Sequence, residues 1–360
     1  MKAWRNSAVA RRLGLAHPVV QGPFGGGLSS VELVAAVSDA GGLGSFGAHH
    51  LDGAGIRAVA ADIRARTAQP FALNLWLPFE HSEDPALDDS AYAAHVELLA
   101  PFYAELGVEP PPRPARFMPA FDEQVDAVLE TRPAVFSFVY GVPAPWILDR
   151  CRALGVATIG AATTPDEAIA LDAAGVDMIV ATGLEAGGHR VSFLRPAEDS
   201  LTGGLALLPQ VVDAVRAPVI AAGGIGDARG IVATLALGAQ AVQIGTAFLA
   251  CEESNAAPIH RERLFGNDAR HTGLTRAFSG RLARGLVNPL MRRLQGQEHR
   301  LAPYPVQNWL TGAMRAAAVA QGRADLMSLW AGQSAPLLRH RRAAELMAWL
   351  IEEVDARLAA

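Results

Sequence analysis

The chain has 360 residues, 51% of them hydrophobic and 19% charged, with 35 glycines and a formal net charge of −5. That length suits a large barrel-type domain with insertions, and the composition can fill a sizeable core. The low charged fraction excludes a disordered chain, and the acidic balance disfavours a nucleic-acid partner while leaving room for one local basic pocket. In chain order, Val19-Val20-Gln21-Gly22 reads as the first strand, followed by a helix over 30–40 with Ser29 or Ser30 as N-cap and Gly41-Gly42 at its end. Leu43-Gly44-Ser45 is a short second strand, 54–67 a helix, and Phe71-Ala72-Leu73-Asn74-Leu75 a third strand.

The rhythm then breaks. Residues 78–118 carry Glu80, Glu83, Asp84, Asp88 and Asp89 and the run Pro110-Pro111-Pro112. This reads as an insertion after the third strand, on the face where barrel enzymes hold their sites, with a solvated or packing role. Alternation resumes with a helix over 121–130, the strand Val135-Phe136-Ser137-Phe138, a helix over 145–154 and the strand Ala157-Thr158-Ile159-Gly160. Thr164-Pro165-Asp166-Glu167 opens the next helix with a cap residue, a first-turn proline and acids, and Gly175 ends it. Met178-Ile179-Val180-Ala181, Val219-Ile220-Ala221-Ala222 and Ala241-Val242-Gln243-Ile244 complete eight strands, with a helix over 227–237 between the last two.

Fully apolar strands alternating with helices predict an α/β fold with a parallel sheet, a closed (β/α)8 barrel ahead of an open doubly wound sheet. The expected layout is a barrel over 1–250, a helical cap over 251–345, and a closing helix over 346–360 that packs back on the barrel. Cys151 and Cys251 form no CxxC pair, and the start Met1-Lys2-Ala3-Trp4-Arg5-Asn6 lacks the apolar core of a secretory signal. A disulfide framework, a structural zinc site and a membrane span are therefore not expected; the reading is a soluble cytoplasmic protein, with monomer and homodimer both open.

Each candidate motif falls at the C-terminal end of an expected strand, the catalytic face of a barrel. Gln21-Gly22-Pro23-Phe24 follows the first strand, Asn74 sits near the end of the third, and Ala222-Gly223-Gly224-Ile225 follows the seventh. Gln243-Ile244-Gly245-Thr246 ends the eighth. Loops after strands seven and eight often bind phosphate through backbone N–H groups and a helix N-terminus, and Thr246 adds a hydroxyl. After Thr182-Gly183 comes Glu185-Ala186-Gly187-Gly188-His189-Arg190, in which two glycines allow close backbone approach and His189 offers a base near neutral pH. No dinucleotide fingerprint, nucleotide-triphosphate loop, GxSxG elbow or metal-ligand spacing is present, and His49-His50 reads as a loop pair. By elimination, a planar phosphate-bearing cofactor beside one histidine fits, which describes flavin mononucleotide (FMN).

Together these motifs resemble the nitronate monooxygenase family, formerly the 2-nitropropane dioxygenases. The resemblance runs from Pro18-Val19-Val20-Gln21-Gly22-Pro23 to Trp330-Ala331-Gly332-Gln333. It implies an FMN-bearing barrel with an added helical domain. It places Asn74, Thr182, Gly187, Gly188, Gly223, Gly224 and the run Gln243, Ile244, Gly245 and Thr246 at FMN, and the backbone of Gly22, Pro23 and Phe24 near the flavin ring. It also makes His189 the catalytic histidine and sets Tyr304 and Gln333 at the substrate pocket. Three positions depart from the family pattern: Thr182 stands where glutamine is common, Phe24 where methionine is usual, and Val191 where glycine is common.

The implied reaction is oxidation of an alkyl nitronate, or a nitroalkane, by dioxygen to a carbonyl compound and nitrite. His189 would hold the anion if protonated, or take the α-proton if neutral. An NAD(P)H-dependent flavin reductase acting on a quinone or an enoyl thioester is the rival within the fold. An IMP-dehydrogenase-like reading lacks a loop cysteine, since Cys251 follows strand eight. A barrel that merely binds a phosphate ligand is the non-enzymatic rival.

Overall fold

The computed structural model describes residues 3–78 and 87–359. Eight parallel strands form its centre: β1 (Val19–Gln21), β2 (Gly44–Gly47), β3 (Phe71–Trp76), β4 (Val135–Val139), β5 (Ala157–Ala162), β6 (Met178–Thr182), then, past a short strand β7 (Gly188–His189) that lies outside it, β8 (Val219–Ala222) and β9 (Ala241–Ile244). Their order is β1-β9-β8-β6-β5-β4-β3-β2. A parallel bridge between Val20 and Leu43 joins the two ends, with Gln21 N–H donating to the Leu43 carbonyl and Leu43 N–H to Val19, both at 2.9 Å. The sheet is thus a closed barrel, and the open doubly wound alternative is excluded.

Strand periodicity divides the apolar side chains between two cores. In β6, Met178 and Val180 point into the barrel while Ile179 and Ala181 pack against the helical layer. The short helix Ala8–Leu13 adds Val9, Ala10 and Leu13 to the barrel's interior set, which plugs that set at one end. Helices cover the outside, and the final helix Ala343–Arg357 lays Leu346, Met347, Leu350 and Val354 on the same layer. Among the described residues, no helix is long and apolar enough to cross a membrane.

A separate core forms above the barrel. Sequence reading anticipates a mostly helical cap after Cys251. The structure instead contains a three-stranded antiparallel sheet, in the order β10 (Thr272–Thr275), β11 (Ala283–Leu286), β7. It also draws the insertion into this core. Asp88 caps the helix Asp89–Leu106 by accepting from Ala91 N–H at 2.7 Å. The buried face of that helix, Leu98, Leu99, Phe102, Tyr103 and Leu106, shares a core with Leu310 and Met314 of the helix Val306–Ala320. Asp89 pairs with Arg113 at 3.0 Å. Glu80, Glu83 and Asp84 lie outside the described residues.

Helix-on-strand packing is tightest at Gly44, where an added Cβ would sit 2.2 Å from the Val34 carbonyl oxygen. Gly44→Ala therefore costs about 1–3 kcal/mol, whereas Gly312→Ala, in the helix Val306–Ala320 with nothing within 4 Å of an added Cβ, gains up to about 1 kcal/mol. Thermal unfolding of both variants checks this. Equal melting temperatures would refute the packing assignment at Gly44.

Candidate active site

The C-terminal ends of the barrel strands and the underside of the second core enclose a cavity of about 490 Å³, within the range of cofactor and small-ligand sites. Inward-facing Asn74, Val139, Ala161, Val180, Thr182, Ala222 and Gln243 form its floor. The roof comes from the end of the insertion, Phe117, Met118 and Pro119, and from Tyr304, Asn308, Arg315, Ser328 and Trp330. Trp309 Nε1 donates to the Pro112 carbonyl at 3.0 Å, and the Tyr304 hydroxyl lies 3.3 Å from Met118 Sδ, so the two roof segments are tied together.

Of the residues anticipated from sequence, Gly22, Pro23, Phe24, Asn74, Thr182, Gly187, Gly188, His189, Gly223, Gly224, Gln243, Gly245, Thr246 and Tyr304 line this cavity. Ile244 does not. Its side chain points outward into the helical layer, because it alternates with Gln243 along β9, and it contributes only a carbonyl that accepts from Gly22 N–H at 2.9 Å. Gln333 is exposed, and its backbone N–H donates to Glu185 at 3.0 Å. Its neighbours Gly332 and Ser334 face the cavity instead.

His189 does not sit on a free loop. Gly188, at φ +76°, turns the chain so that Gly188 and His189 form β7, and Ala283 of β11 lies opposite His189. Two buried guanidinium groups hold the approach. Arg190 donates to the carbonyls of Gly183 at 2.6 Å, Thr182 at 3.1 Å and Ser200 at 3.2 Å. Arg284 donates to Leu184 at 3.0 Å. Arg190 is therefore a structural clamp rather than a partner for a ligand.

The imidazole lies between Trp76, at 5.0 Å and 70°, and Trp330, at 5.3 Å and 54°. Its Nε2 is 2.7 Å from Ser279 Oγ, which leaves Nδ1 as the nitrogen available for chemistry. Burial, and then the nearby cations Arg281 and Arg315, pull its pKa down to about 3. The ring is neutral across the physiological range and can accept a proton.

Sequence reasoning missed several neighbours. Trp76 ends β3 one residue beyond the expected strand, and His49 stacks on it at 3.9 Å and 5°. Arg281 places its guanidinium carbon 4.0 Å from the Tyr140 ring centre and 4.3 Å from that of Tyr304. Trp76 carried one usable signal, its place at a strand's C-terminal end. The arginines carried none, because tertiary contacts alone bring 281 and 315 over the barrel. Cys251 is fully buried with its thiol pushed up by burial, and it donates to Ala247 at 3.3 Å. It offers no nucleophile, which removes the IMP-dehydrogenase-like alternative.

The glycine loops fit a phosphorylated planar group. The Gly223 and Gly224 amides, at φ +97° and +72°, donate to no backbone oxygen among the described residues. Nearby, Thr246 Oγ1 accepts from Gly332 N–H at 2.9 Å, leaving its own proton to donate. A Cβ on Gly187 would lie 2.5 Å from the Gly332 nitrogen, so only glycine lets these segments meet. The helix after β8 is not an open donor, since Asp227 caps it by accepting from Arg229 N–H at 2.9 Å.

The sequence matches the nitronate monooxygenase family model over residues 6–353. The chain belongs to the nitronate monooxygenase family. It is similar to a probable nitronate monooxygenase of Staphylococcus haemolyticus, 37% identical with 99% of each chain covered. Among solved structures it is similar to nitroalkane oxidase from Streptomyces ansochromogenes, with TM-score 0.89, 38% identity and coverage of 98% of this chain and 99% of that one. FabK from Thermotoga maritima follows with TM-score 0.76, 27% identity and coverage of 98% and 97%. As a member of this family the chain is a flavin-type oxidoreductase.

Three histidines set a pH dependence, His49 and His260 buried and His189 half-buried. His189 is drawn down to about 3, His260 to about 4 by burial, and His49 well below its ordinary value by burial and then by His50. Below about pH 6.5 the unfolded chain binds protons that the folded chain refuses, so stability falls as pH drops. His189 and His260 each cost about 2 kcal/mol at pH 5, and His49 acts in the same direction. The melting temperature should hold from pH 8 to 7 and decline from 6.5 to 5, less steeply in His189→Asn. A flat profile in the native chain would contradict the assignment.

Proposed function

We propose that this enzyme binds FMN and oxidises alkyl nitronates with dioxygen to carbonyl compounds and nitrite, taking nitroalkanes through loss of their α-proton. The observation that carries the reading is a neutral His189 anchored at 2.7 Å on Ser279, with Nδ1 left to act and the cations Arg281 and Arg315 near enough to shift it. The names of its relatives point the same way: nitronate in the curated proteins and nitroalkane in the solved structure.

FMN, when bound, supplies the electron acceptor for the substrate and the electron donor to dioxygen. The Gly223 and Gly224 amides and the Thr246 hydroxyl would be the donors for its phosphate, and Asn74, whose Nδ2 donates to Ser137 Oγ at 3.0 Å, would contact the cofactor from the barrel floor. Phe24 is fixed by Ser29, whose hydroxyl accepts from Phe24 N–H at 3.1 Å and donates to its carbonyl at 3.0 Å. Arg281 and Arg315 make the cavity favourable for an anion. His189 takes the α-proton of a nitroalkane at Nδ1, and the resulting imidazolium then faces the nitronate it has formed. Substrate and dioxygen are the partners, and the two buried free cysteines suit a reducing, cytoplasmic setting.

Purified protein should be yellow, and propionate 3-nitronate should bleach it anaerobically while NADH does not. His189→Asn should keep the colour and lose about 10²–10⁴-fold in nitroalkane turnover. Bleaching by NADH alone would move the enzyme to a reductase, and full turnover in His189→Asn would remove the histidine from the reaction.

A further inference from the structure

His49 is held in the cavity as firmly as His189, yet the reaction above gives it no task. It lies two residues beyond β2, is 6% exposed and lines the cavity. Buried Gln124 anchors its backbone, donating through Nε2 to the His49 carbonyl at 2.9 Å and to the Leu51 carbonyl at 2.6 Å. The parallel stack on Trp76, at 3.9 Å and 5°, anchors its ring.

The two ring nitrogens differ. Nδ1 is buried without a hydrogen-bond partner, and Nε2 makes no hydrogen bond to any described residue. The Cε1–Nε2 edge meets Gly25, which also lines the cavity; a Cβ there would lie 2.7 Å from Cε1 and 3.5 Å from Nε2. Glycine at 25 thus keeps this edge open. Burial, and then His50, His189 and Arg281, hold the ring's pKa well below its ordinary value, so it carries a single proton. On Nδ1 that proton would be a buried donor with no acceptor, an arrangement rarer than an under-satisfied acceptor. The proton therefore belongs on Nε2, and His49 presents a rigid, neutral N–H on its cavity edge.

The barrel's closure says what this donor can reach. β1 lies between β2 and β9, so the loop after β1 separates His49 from Thr246, one of the phosphate donors. That loop, Gly22 to Gly25, lines the cavity, and its first three residues are those the family resemblance sets near the flavin ring.

We propose that His49 is a cofactor-binding residue whose Nε2–H donates to a carbonyl oxygen of the flavin ring and raises the flavin's reduction potential. This rests on the FMN reading above. Reduction adds negative charge to the ring system, and a fixed donor stabilises the more negative state.

The test compares the flavin-loaded wild type with His49→Phe, His49→Gln and His49→Asn. Midpoint potential is read by equilibration with a reference dye, FMN dissociation by flavin fluorescence on dilution, and folding by thermal unfolding. His49→Phe keeps a ring for Trp76 and removes the donor. It should lose about 3- to 10-fold of the preference for reduced over oxidised FMN, as one neutral hydrogen bond requires. For a two-electron couple that is a drop of about 15–30 mV. His49→Gln, whose amide reaches the place of Nε2, should restore the potential, and His49→Asn, whose amide reaches only the place of Nδ1, should not. A folded His49→Phe with wild-type potential and FMN dissociation overturns the proposal. Should His49→Phe fail to fold, equal potentials in His49→Gln and His49→Asn overturn it. A raised KM for propionate 3-nitronate at unchanged potential also overturns it, and gives the donor to the substrate. Wild type that stays colourless with added FMN overturns the FMN reading as well.

Discussion

The pairing of β7 with β11 is the constraint on which the site depends. Two residues of a barrel loop, Gly188 and His189, are hydrogen-bonded into a sheet that belongs to the upper core. Two glycines and a histidine would otherwise wander, and a proton acceptor that wanders by 1 Å loses much of its rate. Once in the sheet, the imidazole has a fixed height over the barrel mouth, and Ser279, on the turn before β11, is brought within 2.7 Å of Nε2. Barrel and cap are thus joined at the residue proposed as the proton acceptor.

The charges around that residue follow a single logic. Arg190 and Arg284 spend their donors on backbone carbonyls of the loop, so their positive charge serves geometry. Arg281 and Arg315 line or overhang the cavity, where their charge acts on the histidine and on any anion that enters. The field that disfavours a proton on the imidazole favours an anion in the cavity. That field keeps the histidine neutral, and an anion entering the cavity offsets the field and raises the ring's basicity.

The insertion and the C-terminal segment also behave as one unit, although nearly 200 residues separate them. The helix Asp89–Leu106 buries its apolar face against the helix Val306–Ala320, and Tyr103 donates to the Leu310 carbonyl at 2.9 Å. The residues that follow it, Phe117 to Pro119, line the cavity. Acidic residues and prolines obscured this role in sequence, because Pro101 interrupts the helical pattern and Asp88 serves only as a cap.

The eight strands, their order of use and the glycine-rich ends were legible from local sequence, because strand periodicity and turn chemistry are properties of a few adjacent residues. Gly187, Gly188, Gly223, Gly224 and His189 could be singled out on that basis. Ile244 and Gln333 show its limit: a motif names residues, whereas alternation along β9 and exposure of the 333 side chain decide which of them face a ligand. Tertiary structure alone decided the rest. β10 and β11 are four residues each and carry no apolar alternation, so only their partners make them strands. The cations at 281 and 315 acquire meaning only where long-range packing lowers them over the barrel, since electrostatic coupling depends on distance and burial in space.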